Sequence, residues 1–258
     1  MSKFNFAAVI FAAGIAVIFV SCRAAVPIKG DGIMVTSEKS IAPFENMEIS
    51  GDALVYFHPD REYRAVVTVD SNLEDYVEVF TKNKTLHIGS KKRGSYLFTQ
   101  FIVDVYCPGL AGVSISGSAR FEGKNTITVP RFRSQISGTG KIEGNFECDD
   151  FSTAISGSGE IAGYIACSRF RADISGSGKI AVNGNSNDTN ITVSGSGVFT
   201  GNEFKTNNAN IRISGSGNMH IWVVENLKAN VSGFGTIKYR GNPKIDFKGS
   251  GSGRLESD

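Results

Sequence analysis

From residue 113 to residue 253, apolar and polar side chains alternate on a metre that restarts at a serine. Five positions before that serine stand Phe132, Phe151, Phe170 and Leu227, and three before it stand Ala172, Ile191, Ile211 and Ala229. An Ile or Val immediately precedes the serine in every clear copy. The interleaved positions are polar, for example Arg133 and Gln135, Arg171 and Asp173, Asn210 and Arg212, Lys228 and Asn230. A period of two with one apolar phase predicts a strand that buries one face. Five positions after the serine a second apolar series begins, Phe121, Ile142, Ile161, Ile180, Phe199, Met219 and Ile237, which predicts a second short inward strand.

The serines are Ser116, Ser137, Ser156, Ser175, Ser194, Ser214, Ser232 and, in a degraded copy, Ser250, at intervals of 21, 19, 19, 19, 20, 18 and 18 residues. Self-similarity at a fixed period predicts a solenoid of about 19-residue coils. Each coil carries Ser-Gly-Ser-Gly or a variant between its two inward strands, written in full as Ile155 to Gly159, Ile174 to Gly178 and Ile213 to Gly217. The motif reads as a corner, because glycine reaches positive φ without a Cβ penalty and lets neighbouring coils approach. A ligand loop would have no reason to recur. The dinucleotide fingerprint fails on spacing and lacks a following helix, and calcium-binding β-rolls need an Asp in each unit that these corners lack. Outward positions form ladders: Arg120, Lys141, Glu160 and Lys179, with Glu122 and Glu143 two residues further on. These read as edge and solubility devices rather than as a carbohydrate site.

Residues 43–112 depart from the metre and read as a β-rich portion continuous with the solenoid or capping it. Longer strands are expected over 53–57, 63–69, 85–88 and 98–107, and Ile49-Ser50-Gly51 already shows the corner once. Pro108-Gly109 marks the seam, Lys91-Lys92-Arg93 a solvated hairpin tip, and residues 254–258 an exposed tail.

The start of the chain changes the setting. Ala7 to Val20 is an unbroken small and apolar run of 14 residues, shorter than the roughly 20 a membrane span needs. It reads as the core of an export signal. Phe19-Val20-Ser21-Cys22 resembles the lipobox of bacterial lipoproteins, which makes Cys22 the lipidation site, residues 1–22 the signal and residues 23–42 a linker. Removing Lys3 with the signal leaves 26 basic against 25 acidic residues, no footprint for a nucleic acid. Thirty glycines and no amphipathic helical stretch place the chain among all-β proteins. Of the remaining cysteines, Cys107, Cys148 and Cys167, none forms a C-x-x-C pair or has a nearby His, so no metal and no cofactor is expected. Cys148 and Cys167 each lie 11 residues past a corner serine and should stack as buried, unbridged thiols. His58, His87 and His220 are far apart in sequence.

The residues also match a known family. Phe44 to Ser50, Ser71-Asn72-Leu73 leading to Thr85-Leu86-His87-Ile88, Cys107-Pro108-Gly109-Leu110, the Ile-Ser-Gly-Ser-Gly copies and Ile237 to Pro243 together resemble the head GIN domain family, described as auto-transporter adhesins, over Pro43 to about Gly253. The resemblance implies a right-handed, parallel β-helix-like fold and a proposed role in adhesion or binding at the envelope, with no catalytic motif to transfer. The chain is accordingly expected to be a non-enzymatic, lipid-anchored protein of the bacterial envelope, at the outer membrane, with a protein or glycan partner. Two other readings compete. A polysaccharide-active enzyme would need two carboxylates converging at roughly 5 to 9.5 Å, and Asp149-Asp150 and Asp188 are the acids near coil ends. A self-associating scaffold would use an exposed strand edge or the Asn-rich coil 183–190.

Overall fold

The computed structural model describes residues 26–91 and 94–258. The signal, Cys22, and Lys92 and Arg93 of the basic run lie outside the described residues. The chain begins with β1 (Ile28–Lys29), β2 (Met34–Lys39), β3 (Asn46–Gly51), β4 (Leu54–Pro59) and β5 (Arg64–Asp70). A 3-10 turn over Ser71–Tyr76 leads into β6 (Val77–Lys82), β7 (Thr85–Ser90), β8 (Tyr96–Leu97) and β9 (Phe101–Cys107). Then come β10 (Gly112–Gly117), β11 (Arg120–Gly123), β12 (Ile127–Thr128) and β13 (Arg131–Gly138). Strands β14 (Lys141–Gly157), β15 (Glu160–Gly176), β16 (Lys179–Gly195), β17 (Val198–Gly215) and β18 (Asn218–Gly233) each trace most of one coil. β19 (Thr236–Arg240), β20 (Lys244–Gly251) and β21 (Arg254–Ser257) complete the array.

These strands build a parallel β-solenoid on the predicted metre. The serine of each coil pairs with the serine of the next, from Ser116↔Ser137 through Ser156↔Ser175 to Ser232↔Ser250. One face runs through β7, β3, β10 and β13 into the C-terminal halves of β14 to β18 and on to β20. A second face runs through β9, β4 and β11 into the N-terminal parts of the same long strands, then β19 and β21. The inward phase is the core: Ile136, Ile155, Ile174 and Val193 are buried, as are Ile142, Ile161, Ile180 and Phe199 after the corner. A spine of aromatics climbs the interior, Phe132 to Phe151 at 5.5 Å and Phe151 to Phe170 at 5.7 Å between ring centroids. Each such ring contributes about 1.5 to 3 kcal/mol through burial. Above Phe170 the spine position falls to the small residues Thr189 and Ala209, and Phe204 from another part of its coil fills the space, 4.9 Å from Phe170. The Thr189 hydroxyl there is satisfied by Ser186 Oγ at 2.6 Å, and Ser186 in turn donates to Thr206 Oγ1 at 3.0 Å.

The N-terminal portion differs from its sequence reading in order. The coil of β3 and β4 is not the first in space, because β7 and β9, later in the chain, stack beneath it. The repeat hides this coil because its corner reads Ile88-Gly89-Ser90. A Cβ at position 89 would meet Ser50 Oγ at 2.1 Å, so a larger residue there would displace the Ser50 hydroxyl from its position over the Ile88 carbonyl. Antiparallel strands close this end on both faces. β6 returns on β7 through Asn83-Lys84, both at positive φ, the backbone of a two-residue hairpin whose twist matches its strands. β5 runs antiparallel to both β9 and β2. Such capping moves the free edge of the array from the coil of β7 and β9 onto the short strands β6 and β2.

Two segments carry structure where the sequence reading placed a linker and a tail. Residues 34–39 form the edge strand β2, with Val35 against the core, and β1 pairs with β8. Residues 254–257 are β21, in register with β19 through Ile237↔Leu255. Both were obscured because two- to six-residue strands at the ends of an array lack neighbours on the same metre. The first of them is tied down by Asp70. Burial disfavours this carboxylate's charge, yet hydrogen bonds from Thr99 and from the Gly32 amide at 2.9 Å win and hold its pKa below the usual carboxylate range.

Candidate binding groove

The acids singled out in the sequence do not converge as a catalytic pair. Asp150, Arg169 and Asp188 stand in register on successive coils, with the guanidinium between the two carboxylates. Asp150 accepts hydrogen bonds from Arg169 Nε and from Nη2 at 2.7 Å, and this partner lowers its pKa. A hydrolytic pair leaves the space between its carboxylates for substrate and water; here Arg169 fills it. Asp188 accepts from Asn208 Nδ2 at 3.0 Å, and Asn208 Oδ1 accepts from Asn226 at 2.8 Å, so the Asn-rich coil forms a polar ladder with its neighbours. Lys179 lies 3.9 Å from Glu160 in the other outward ladder, and Lys141 bonds Glu143 at 2.7 Å.

The histidines are dispersed. His58 Nε2 lies 2.8 Å from Asp104 Oδ1 and its ring stacks on Tyr106 at 4.7 Å, while His220 sits far along the array on β18. Among the described residues no cluster of three His, Cys, Asp or Glu could hold a metal ion. Cys148 and Cys167 face each other in register and both are free, half-buried rather than fully buried as expected. Burial pushes their thiols up to about 11 and about 12. Because the thiolate is the nucleophile, both should alkylate slowly in native protein at neutral pH, faster as pH rises, and rapidly once denatured without reductant. Equal rates in native and denatured protein, or no labelling in either, would contradict this arrangement.

His87 belongs to a different setting. Its Nδ1 lies 3.1 Å from Glu48 Oε2, and its ring stacks on Phe80 at 5.0 Å between centroids and 20° between planes. Strand pairing extends this into one outward row across the first face: Phe80↔His87, His87↔Glu48, Glu48↔Ser114 and Ser114↔Gln135. Beside it Ser50, Ser116 and Ser137 form a second, shallow row. Together with Glu78 and Lys82 on β6 they line a groove of about 660 Å³. The β6–β7 hairpin supplies its wall and the coil corners its floor. This site was not legible as a site in the sequence, since its residues lie between positions 48 and 137 and meet only through the permuted coil order. One signal was present: Phe80 is apolar in the polar phase of its strand, flanked by Glu78 and Lys82.

A family model described as "Putative auto-transporter adhesin, head GIN domain" matches residues 43–163 and again 143–243. A solved structure from Parabacteroides distasonis, described as a putative lipid binding protein, superposes with a TM-score of 0.86 at 26% identity, covering 90% of this chain and 100% of that one. A second protein of that organism, described as a putative adhesin, gives a TM-score of 0.82 at 27% identity, covering 90% of this chain and 100% of the other. A putative adhesin from Parabacteroides merdae, at 24% identity, covers 91% of this chain and 100% of its own with a TM-score of 0.85, a likeness of fold. No curated protein matches the sequence.

Proposed function

The chain belongs to the head GIN domain family, described as "Putative auto-transporter adhesin", and on that footing we propose that it is a non-enzymatic binding protein of the bacterial envelope, held to the outer membrane by lipid on Cys22. The observation that carries the binding reading is the groove at the capped end of the solenoid. There an aromatic ring and a row of hydrogen-bonding side chains are held on rigid strands, the few well-placed polar groups and apolar surface that a recognition site needs. Full-length protein in mild detergent should bind isolated envelopes saturably; absence of any saturable binding removes the reading. For the anchor, burial of acyl methylenes at about 0.8 kcal/mol each holds a chain to a bilayer. Cys22→Ala should therefore move the protein from the detergent phase to the aqueous phase on phase separation, and unchanged partitioning would refute lipidation.

A second reading has one observation in its favour: Glu48 and Glu78 both line the groove. Two carboxylates beside a bound sugar are the equipment of a glycosidase. Turnover of a polysaccharide that Glu48→Gln abolishes would support it.

A further inference from the structure

We infer that the groove binds a neutral oligosaccharide, with the Phe80 ring as its stacking platform and Glu48, Gln135 and the serine row as hydrogen-bonding partners. The inference rests on the reading of this chain as an envelope-binding protein and names the ligand class for that site.

Phe80 is the first indication. Its residue is 43% exposed on an edge strand, whereas the phenylalanines at the spine positions of the coils, such as Phe132, Phe151 and Phe170, are buried. What sets Phe80 apart from an exposed aromatic such as Phe234 is its place: it adds nothing to the core and stands in the groove wall beside a row of hydrogen-bonding side chains. The ring is not free to swing, because His87 stacks against it and is itself fixed beside Glu48. One side of this preoriented ring is taken by His87, and its exposed remainder is the apolar surface offered to the C–H face of a pyranose, whose hydrogens meet the negative face of the aromatic quadrupole.

The rest of the groove matches the rim of such a ring. A sugar presents hydroxyls that both donate and accept, all near its mean plane. Glu48 accepts, Gln135 does both from one amide, and each serine hydroxyl does both. These groups lie in two rows on successive strands about 4.8 Å apart, flat and parallel. The other ligand classes fit less well. Glu48 and Glu78 outnumber Lys82 among the carboxylates and ammonium groups of the lining, so the groove has no cationic excess for a phosphate or sulfate. Polar side chains line its floor, so an acyl chain would desolvate them without replacing their hydrogen bonds. The outward row continues past Gln135 to Ala154 and Asp173 on the next coils, which leaves one end open for further sugar units.

The test is affinity electrophoresis of full-length protein in mild detergent through gels containing xylan, galactomannan, mixed-linkage β-glucan or glycogen, beside the envelope-binding assay. Retardation by at least one of these is expected. Phe80→Ala should weaken it about tenfold, the worth of one aromatic contact, and Gln135→Ala should weaken it measurably, while Phe234→Ala, an exposed aromatic at the other end, should leave it unchanged. The Phe80 variant should melt like the parent, since its ring adds nothing to the core; if it unfolds, Gln135→Ala and Glu48→Gln carry the test. Lack of retardation by all four polymers, or retardation indifferent to these groove substitutions, overturns the inference. Envelope binding that persists without retardation, and is lost after protease treatment of the envelopes, would show a protein ligand and leave the binding function standing. Loss of envelope binding as well would remove the function itself.

Discussion

Ile174→Asp is expected to abolish or nearly abolish the folded state, while Asp173→Ala, one residue earlier, leaves the melting temperature unchanged. Ile174 is 2% exposed and stacked between Ile155 and Val193 of the adjacent coils. The close approach of the neighbouring corner leaves no route for relaxation, because Gly197 lies over the Ile174 Cγ2 so tightly that a Cβ there would be 2.5 Å away. A carboxylate in that slot loses its hydration and gains no partner, which with the lost aliphatic packing costs about 4 to 5 kcal/mol, a large fraction of the stability of a typical domain. Because each coil contacts only its neighbours, the loss should propagate as failure of the stack on either side. Asp173 is exposed and among the described residues shows no side-chain hydrogen bond or ion pair, so its truncation stays within about 0.5 kcal/mol. Chemical and thermal denaturation of the two variants measures the contrast, and equal effects would mean that the strand parity is wrong.

That parity was legible in the sequence because every coil repeats it, and repetition multiplies a weak local signal. Phe132, Phe151 and Phe170 recur at one spacing and stack as a spine; Ser116 to Ser250 recur and pair in register. Where the metre breaks, local pattern could not reveal what fills the space. Thr189 and Ala209 gave no hint that Phe204 would occupy the gap above Phe170, since that substitution is a matter of volume between coils and not of period. The same holds for the cap. β7 and β9 belong beneath β3 and β4, a placement set by long-range pairing. The groove depends on that placement, so Phe80 could be seen as an oddity of its strand but not as a neighbour of Gln135. The acids near the coil ends lie elsewhere: Asp150 and Asp188 are partnered, by Arg169 and Asn208, and their ladder is one of several along the outer rows.

The second large effect expected is at the repeated corner, where Gly176→Val and Gly157→Val should each destabilise by about 3 to 5 kcal/mol and by similar amounts. Two physical terms act together. Gly176 has φ 111° and Gly157 φ 121°, conformations that a β-branched residue adopts only with strain of about 1 to 3 kcal/mol. In addition a Cβ on Gly176 would lie 2.7 Å from the Gly157 carbonyl oxygen, and one on Gly157 would lie 2.6 Å from that of Gly138. These same oxygens accept the amides that tie coil to coil, Ser177 N–H to Gly157 O and Ser158 N–H to Gly138 O, each at 2.9 Å. Pushing the carbonyl away therefore strains the corner and breaks its rung together, leaving a buried donor or acceptor at about 1 to 3 kcal/mol. Gly51→Ala separates the terms. It occupies the same corner at φ 84°, but nothing stands within 4 Å of its added Cβ, so only the conformational cost of about 1 to 2 kcal/mol remains. If the glycines formed a ligand loop, one copy alone would matter, and it would change binding at constant melting temperature. Similar losses of stability at positions 157 and 176 and a smaller loss at 51 would place architecture in the corners. A sharp difference in stability between Gly157→Val and Gly176→Val would break that assignment, because identical corners on adjacent coils have no physical reason to respond differently.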